Sequence, residues 1–453
     1  MRQRLSLRLY LLLLLLLLGL VPPLLAAQAP SPAKTAIAGD WLVTTDLYGL
    51  SHPERLTLAQ EGDKLTGDLS GDPLTGTLSG KTASFIAKGE GGDSAQYTGT
   101  FSGETISGRA VLIDGGDGSR VETTFTAKRQ PDRPARPPQR VDFAPQTFYR
   151  QFSAATLPVL HLWPGDTLHT TTVDAAGDDA AGVHRVFGGN PQTGPFYIET
   201  ALPGDVLAVH IDRLRLNRDW AISTDRLVSR VLTPQLAVNM KDDGKTVRWK
   251  LDRTQGSASL ETPGEHLKPY KIPIQPMLGC LGVAPNFASA PYPTGDSGRF
   301  GGNMDWSDVR EGATVYLPVS QPGALLYLGD GHAQQGDGEL NGDALETSLE
   351  VEITVDVLRR KSISTPRLES ATHLMTVGLA GSLDEAMRTA TASLGQWLEE
   401  QYGLTPAELA EVLGTGIELS INEVADRNVG VVAKIRKERL AVLAPTTKPQ
   451  SGS

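Results

Sequence analysis

The run Gly329-Asp330-Gly331-His332-Ala333-Gln334-Gln335-Gly336-Asp337-Gly338-Glu339 sets one histidine, two aspartates and one glutamate among four glycines. Imidazole and carboxylate are the side chains that hold a divalent cation, and a hydrolytic site takes about three or four such ligands while keeping a position open for water. Asp330 and His332 are two apart, so in an extended segment both side chains face one way and can grip one ion. The glycines permit positive φ and close backbone approach, which favours a tight binding loop over a packed strand. Gly336-Asp337-Gly338-Glu339 taken alone is also ordinary surface-turn chemistry. The run is not an EF-hand, because His332 and Gln334 stand where oxygen ligands belong.

Two further stretches end strand-like runs, where loops gather side chains from distant positions. One is Gly301-Gly302-Asn303-Met304-Asp305 and the other Thr171-Thr172-Val173-Asp174-Ala175. Gly302-Asn303-Met304-Asp305, together with Pro276-Met277-Leu278-Gly279-Cys280-Leu281-Gly282-Val283-Ala284-Pro285, Leu317-Pro318-Val319, the 329–339 run and Glu346, resembles the acetamidase/formamidase family. Gly194-Pro195 and Ala201-Leu202-Pro203-Gly204-Asp205 look like an earlier block of it. The resemblance runs in order over residues 145 to 437. It departs at Thr200, where glycine is expected, and over 212–266, and it leaves out residues 36–128.

The resemblance implies a β-rich, metal-dependent hydrolase that cleaves short carboxamides such as formamide or acetamide, and it implies a homo-oligomer. An unactivated amide needs a polarised carbonyl, a deprotonated water and a proton for the leaving amine. The candidate ligands are Asp174, Asp305, Asp330 and His332. Glu339 is the first choice for the proton shuttle and Asp337 the second, with Glu346 an alternative for that role. Asn303 is a candidate donor to the developing oxyanion. Zinc is the expected ion, manganese and iron suit the same ligands, and extra carboxylates leave room for an additional calcium.

Other chemistries fit less well. Cys280 lies in an apolar, Gly-rich run and reads as a small buried hydrophobe rather than a nucleophile. No Gly-x-Ser-x-Gly elbow is present. His169, five residues before Asp174, reads as a partly exposed strand histidine, and Trp306 as core rather than pocket wall. The competing account of the whole chain is a catalytically silent binding or scaffold protein. The intact set Asp305, Asp330, His332 and Glu339 favours the enzyme.

The elements that must position these residues are mostly short strands. Residues 1–27 read as a secretory signal, with Arg2, Arg4 and Arg8 before a leucine-rich run and Ala26-Ala27 at its end, which makes the protein exported, periplasmic or extracellular. No later segment has the apolar length to span a bilayer, so integral membrane association is not expected. Residues 36–128 alternate apolar positions between Gly/Asp turns and predict a small antiparallel β domain. The Pro/Arg-rich stretch 129–141 predicts an extended connector. Residues 142–440 predict a catalytic body, mainly β with a smaller α component, and 441–453 a disordered tail. Within it, strands are expected at 206–211, 314–319, 349–355 and 429–435. Capping signals at Ser382/Glu385 and Thr405/Glu408 predict two helices.

The chain has 453 residues, enough for two or three folded units. Loss of three arginines with the signal leaves 39 basic residues against 52 acidic, a formal charge of −13. That balance argues against nucleic acid as a partner, since phosphate neutralisation needs a basic face. One cysteine allows no internal disulfide.

Overall fold

The structure is a computed structural model that describes residues 36–240, 244–286 and 289–445. The signal expected over 1–27 and the tail beyond residue 445 lie outside the described residues.

Period-two alternation builds the first unit of the fold. Along Gly39–Leu47, Trp41, Val43 and Thr45 point inward while their neighbours face solvent. Eight antiparallel strands of this kind, from Gly39 to Arg129, close into a barrel, because Gly39–Leu47 pairs with both Leu50–Glu61 and Arg120–Arg129. The turns flagged in the sequence reverse at Gly62, Gly80 and Gly103, each with φ near +60°. Trp41, Phe85, Tyr97 and Phe125 fill the interior, with Tyr97 stacked on Phe85 and edge-on to Phe125 at 5.0 and 4.9 Å.

The Pro-rich stretch that follows is tied down on its way to the body. Arg136 donates two hydrogen bonds to the buried Asp166, at 2.9 and 2.8 Å, and the Gln139 amide adds a third at 2.9 Å. Its last residues, Arg140–Asp142, already pair in parallel with Thr167–Thr171. Barrel and body also meet through a buried ion pair between Arg55, on the Leu50–Glu61 strand, and Asp205. Asp205 accepts from the Leu202 and Arg360 amides as well, at 3.0 and 2.8 Å.

The body is mainly β with few helices. Among the described residues it contains an eleven-stranded and a nine-stranded sheet that enclose one apolar core. The strands expected from the sequence are Val206–Leu216, Thr314–Pro318, Leu349–Leu358 and Val429–Arg436. The helices Leu383–Tyr402 and Pro406–Gly416 start at Ser382 and Thr405, whose side chains accept from the Glu385 and Glu408 amides.

One expectation is corrected. The segment through Gly329 and Gly331 is a buried strand, Leu326–His332, not a loop. Neither glycine has a positive φ; each is needed for close approach. A Cβ at Gly329 would lie 2.8 Å from the Gln192 amide, and one at Gly331 2.6 Å from Leu349. The close-packed centre of a sheet asks for glycine as strongly as a turn does.

Candidate metal centre

The middle of the larger sheet brings the chemistry together. Leu326–His332 pairs on one side with Met277–Gly282 and on the other with Glu346–Thr347. This register puts His332 opposite Glu346, with His332 Nε2 3.2 Å from Glu346 Oε1. The same nitrogen lies 3.7 Å from Asp330 Oδ1 and 4.0 Å from Asp305 Oδ1. Asp305 arrives at the end of Gly301–Asn303, the neighbour of Met277–Gly282 on its far side. Glu339 and Asp305 each supply a ligand atom within 4.8 Å of His332, and Asp330 and Glu346 form a second such group with it.

Gly279 makes the approach of the carboxylates possible. A Cβ there would sit 2.6 Å from Asp330 Oδ2 and 2.7 Å from Asp305 Oδ1. Its carbonyl also accepts from the Met304 and Asp305 amides at 2.9 and 3.0 Å. Asp305, Asp330 and Glu339 all hold positive φ, at 42, 55 and 47°. Side-chain-bearing residues adopt that region at a cost, and such residues cluster where a site dictates the geometry.

Gln335 orients the imidazole. Its amide nitrogen donates to the carbonyls of Asp305 and Asn422, at 2.5 and 3.1 Å, so its Oε1 is the acceptor for His332 Nδ1 at 2.9 Å. The proton is thereby assigned to Nδ1, and Nε2 faces the carboxylates. Asn303 donates both amide hydrogens to carboxylates, Asp305 Oδ2 at 2.8 Å and Asp426 Oδ2 at 2.7 Å. Asn190 in turn donates to Asn303 and to Asp330 Oδ2, at 2.9 and 3.1 Å. In this state Asn303 therefore spaces two carboxylates and has no amide hydrogen left for an oxyanion.

The electrostatics are unbalanced. Asp305, Asp330, Glu339, Glu346 and Glu423 are all buried, with Asp426 half-buried beside them. Burial comes first in pushing the Asp305 carboxyl well above its ordinary range, followed by the charges of Glu339 and Asp330. Burial likewise raises Glu339 well above its range against the pull of His332. Glu346 and Glu423 are both pushed up to about 8, by burial and then by Asp330 and Asp426 respectively, and Asp426 to about 6. Burial pulls the His332 pKa down, but Glu346 and Asp330 outweigh it and hold the imidazole protonated. Every one of these shifts keeps a proton where a positive charge is wanted.

Unpaired atoms make the same point. Asp305 Oδ1, Asp330 Oδ1, His332 Nε2, Glu346 Oε2 and Glu423 Oε2 are buried and meet no partner at hydrogen-bonding geometry. Buried polar atoms are normally satisfied, so the orphans of Asp305, Asp330, His332 and Glu346, gathered around the imidazole, fit a bound cation, and that of Glu423 lies in the neighbouring group with Asp305 and Asp426. Carboxylate oxygens with one imidazole nitrogen are a suitable donor set for zinc, manganese or iron.

Not every candidate reaches this point. Asp174 is buried and paired with Arg218 at 2.6 Å. Arg218 also donates to the Glu346 carbonyl and the Thr347 hydroxyl, at 3.3 and 3.0 Å, so Asp174 stands one residue behind the strand that carries Glu346. Asp337 is exposed on the wall of a surface cleft of about 850 Å³ that Gly338 and Val424 also line. His169 bridges Asp142 and Glu350 away from the cluster, at 2.7 and 2.8 Å. Trp306 is buried, its indole N–H without a partner. Cys280 is fully buried, and burial first, then Asp330 and Asp305, drives its thiol far from ionisation. Glu423, Asp426, Asn190, Gln335 and Gly279 belong to the site without having been singled out. The available signal for the first two was Asn422-Glu423-Val424-Ala425-Asp426, acids set among apolar residues at a strand end.

Comparison with known proteins agrees with this geometry. Residues 286–376, which hold Asp305, Asp330, His332, Glu339 and Glu346, match the profile of the Acetamidase/Formamidase family. A putative formamidase of Schizosaccharomyces pombe is 39% identical over 75 residues, which are 16% of this chain and 18% of that protein. An acetamidase from Bacillus halodurans superposes with a TM-score of 0.57 at 25% identity, covering 67% of this chain and all of the other. An acetamidase from Yersinia enterocolitica gives 0.58 at 29% identity, covering 68% and 94%. The body thus has the fold of solved acetamidases, and the segment that holds most of the site is similar to the Acetamidase/Formamidase family. In this chain the body follows an eight-stranded barrel, and a third of its length has no counterpart in the Bacillus chain.

Proposed function

We propose that the protein hydrolyses a small linear carboxamide to the carboxylic acid and ammonia, with a divalent cation held by His332, Asp305, Asp330 and Glu346. The observation that carries this reading is the convergence of orphaned, buried ligand atoms on His332 Nε2. A divalent ion in such a place polarises a carbonyl and lowers the pKa of water. The chain's own residues supply the rest. Gln335 keeps the His332 proton on Nδ1, and Asn303 and Asn190 fix the spacing of Asp305, Asp330 and Asp426. Glu339 is buried next to this set with its pKa raised, which suits a carboxyl that accepts a proton from the attacking water and returns it to the departing nitrogen. One proton moves in and the same proton leaves, so the group returns to its starting state.

The enclosure favours a substrate of few atoms. His332 is fully buried and the carboxylates around it are nearly so, a setting that admits an amide of formamide or acetamide size more readily than a bulky one. Export is part of the proposal, on the strength of the basic, apolar and small-residue order of residues 1–27. Zinc is the ion proposed for the imidazole-bearing site. The test combines elemental analysis of purified protein with ammonia release from formamide, acetamide and propionamide, before and after chelation. Chelator-sensitive ammonia release with bound metal supports the reading; release that survives complete metal removal overturns it.

A further inference from the structure

We infer that the centre is built for two cations, the second held by Asp305, Glu423 and Asp426. The inference rests on the reading of His332 and its neighbours as the first site. Each of these three residues offers a carboxylate oxygen, and the three oxygens lie within 4.8 Å of one another.

Asp305 is the hinge of the argument. Its Oδ1 faces His332 Nε2, while its Oδ2 shares the Asn303 amide with Asp426 Oδ2, at 2.8 and 2.7 Å. A carboxylate that shows one oxygen to each of two ligand sets is placed to bridge two ions, which in two-metal hydrolases sit about 3.5–4 Å apart. Asn303 then acts as the spacer that sets the outer pair of oxygens.

Glu423 supplies an independent observation. It is fully buried at the end of Ile417–Glu423; one oxygen accepts from the Asp426 amide, and Oε2 has no partner. An unpaired carboxylate oxygen in that position is costly unless a cation or proton meets it. Charge counting favours a cation. The three groups together hold six carboxyl groups and one imidazole, and among the described residues no lysine or arginine forms an ion pair with any of the six. Arg230, the cation on the Asp426 side, donates to the main-chain carbonyls of Val424, Asp426 and Arg427 instead. One divalent ion compensates two of six carboxylates; a second is needed to approach balance.

The two sites differ in chemistry. The first offers an imidazole nitrogen and suits zinc or manganese, whereas the second offers carboxylate oxygens alone and suits a hard cation such as magnesium, manganese or calcium. Asp426 is half-buried, so water can complete the shell from that side.

The test titrates chelator-stripped full-length protein with Mn²⁺, reading bound metal by elemental analysis and ion–ion coupling by electron paramagnetic resonance. The wild type is expected to take two equivalents and to show an exchange-coupled spectrum. Glu423→Gln and Asp426→Asn are each expected to take one equivalent with the spectrum of an isolated ion. Asp426→Asn keeps a half-exposed side chain of the same shape and an oxygen for Asn303, so it covers the case in which Glu423→Gln fails to fold. One equivalent in the wild type, unchanged in Asp426→Asn and lost in His332→Ala, overturns the second site and leaves the first reading intact. Two uncoupled equivalents overturn the Asp305 bridge, and metal retained in full by His332→Ala overturns the first reading as well.

Discussion

Gly279→Ala adds one carbon at the point where two carboxylates converge. The new Cβ would stand 2.6 Å from Asp330 Oδ2 and 2.7 Å from Asp305 Oδ1, against a floor of 3.0 Å for real contacts, so the two oxygens must retreat by at least about 0.4 and 0.3 Å respectively. Metal–ligand distances tolerate about ±0.2 Å. Overpacking of this kind costs about 1–3 kcal/mol in fold stability. Gly279 has no positive φ, so no backbone strain is added to that figure. Two displaced ligands cost metal affinity at least as much as a lost outer-shell partner, about 10–100-fold. The assay is competition with a fluorescent chelator, alongside a thermal melt of the metal-free protein. The expected pattern is a modest loss in the melt with a large loss in affinity and in ammonia release. Wild-type affinity and turnover in a folded Gly279→Ala protein would refute the placement of both carboxylates at the metal.

Two other tests bear on the supporting groups. Gln335→Met removes the acceptor for His332 Nδ1 and is expected to weaken metal binding about 10–100-fold, whereas Gln335→Glu retains an acceptor and recovers part of it; equal affinity in all three proteins would deny the residue its orienting role. For the metal-free protein, Glu346, Glu423 and Asp426 have folded-state pKa values above their ordinary range, so the folded chain binds more protons than the unfolded one. Their contribution is complete below the unfolded values near pH 4 and is lost as pH rises through about 6 and then about 8, so the melting temperature of stripped protein is expected to fall across that window. Saturating metal should flatten the profile, and a stripped protein that becomes more stable from pH 5 to 8 would contradict the account.

Much of the site was legible because it is concentrated. Asp305, Asp330, His332, Glu339 and Glu346 fall within 42 residues of a Gly-rich stretch, and His and Asp at a spacing of two share one side of a strand. The antiparallel strands of the first unit were legible from alternation and turn glycines, since both are local, whereas their closure into a barrel rests on the pairing of the first strand with the last. What escaped depends on contacts between distant segments. Glu423 and Asp426 reach the cluster only because the last strands of the chain lie in the other sheet, which no local pattern reports. Asp174 carries the same chemistry as Asp330, and only the fold reveals that Arg218 has claimed it. Gln335 fixes which ring nitrogen faces the acids, a role that depends on its contacts with Asp305 and Asn422 and leaves no mark in the local spacing. Gly329 and Gly331 suggested a loop because glycine marks turns and close packing alike.

The most direct test of the central claim is metal content and ammonia release measured together on wild-type protein and His332→Ala. The account predicts bound divalent metal and chelator-sensitive release of ammonia from a small amide in the wild type, and loss of both from a folded variant. A His332→Ala protein that keeps its full metal content and still turns over amide would contradict it.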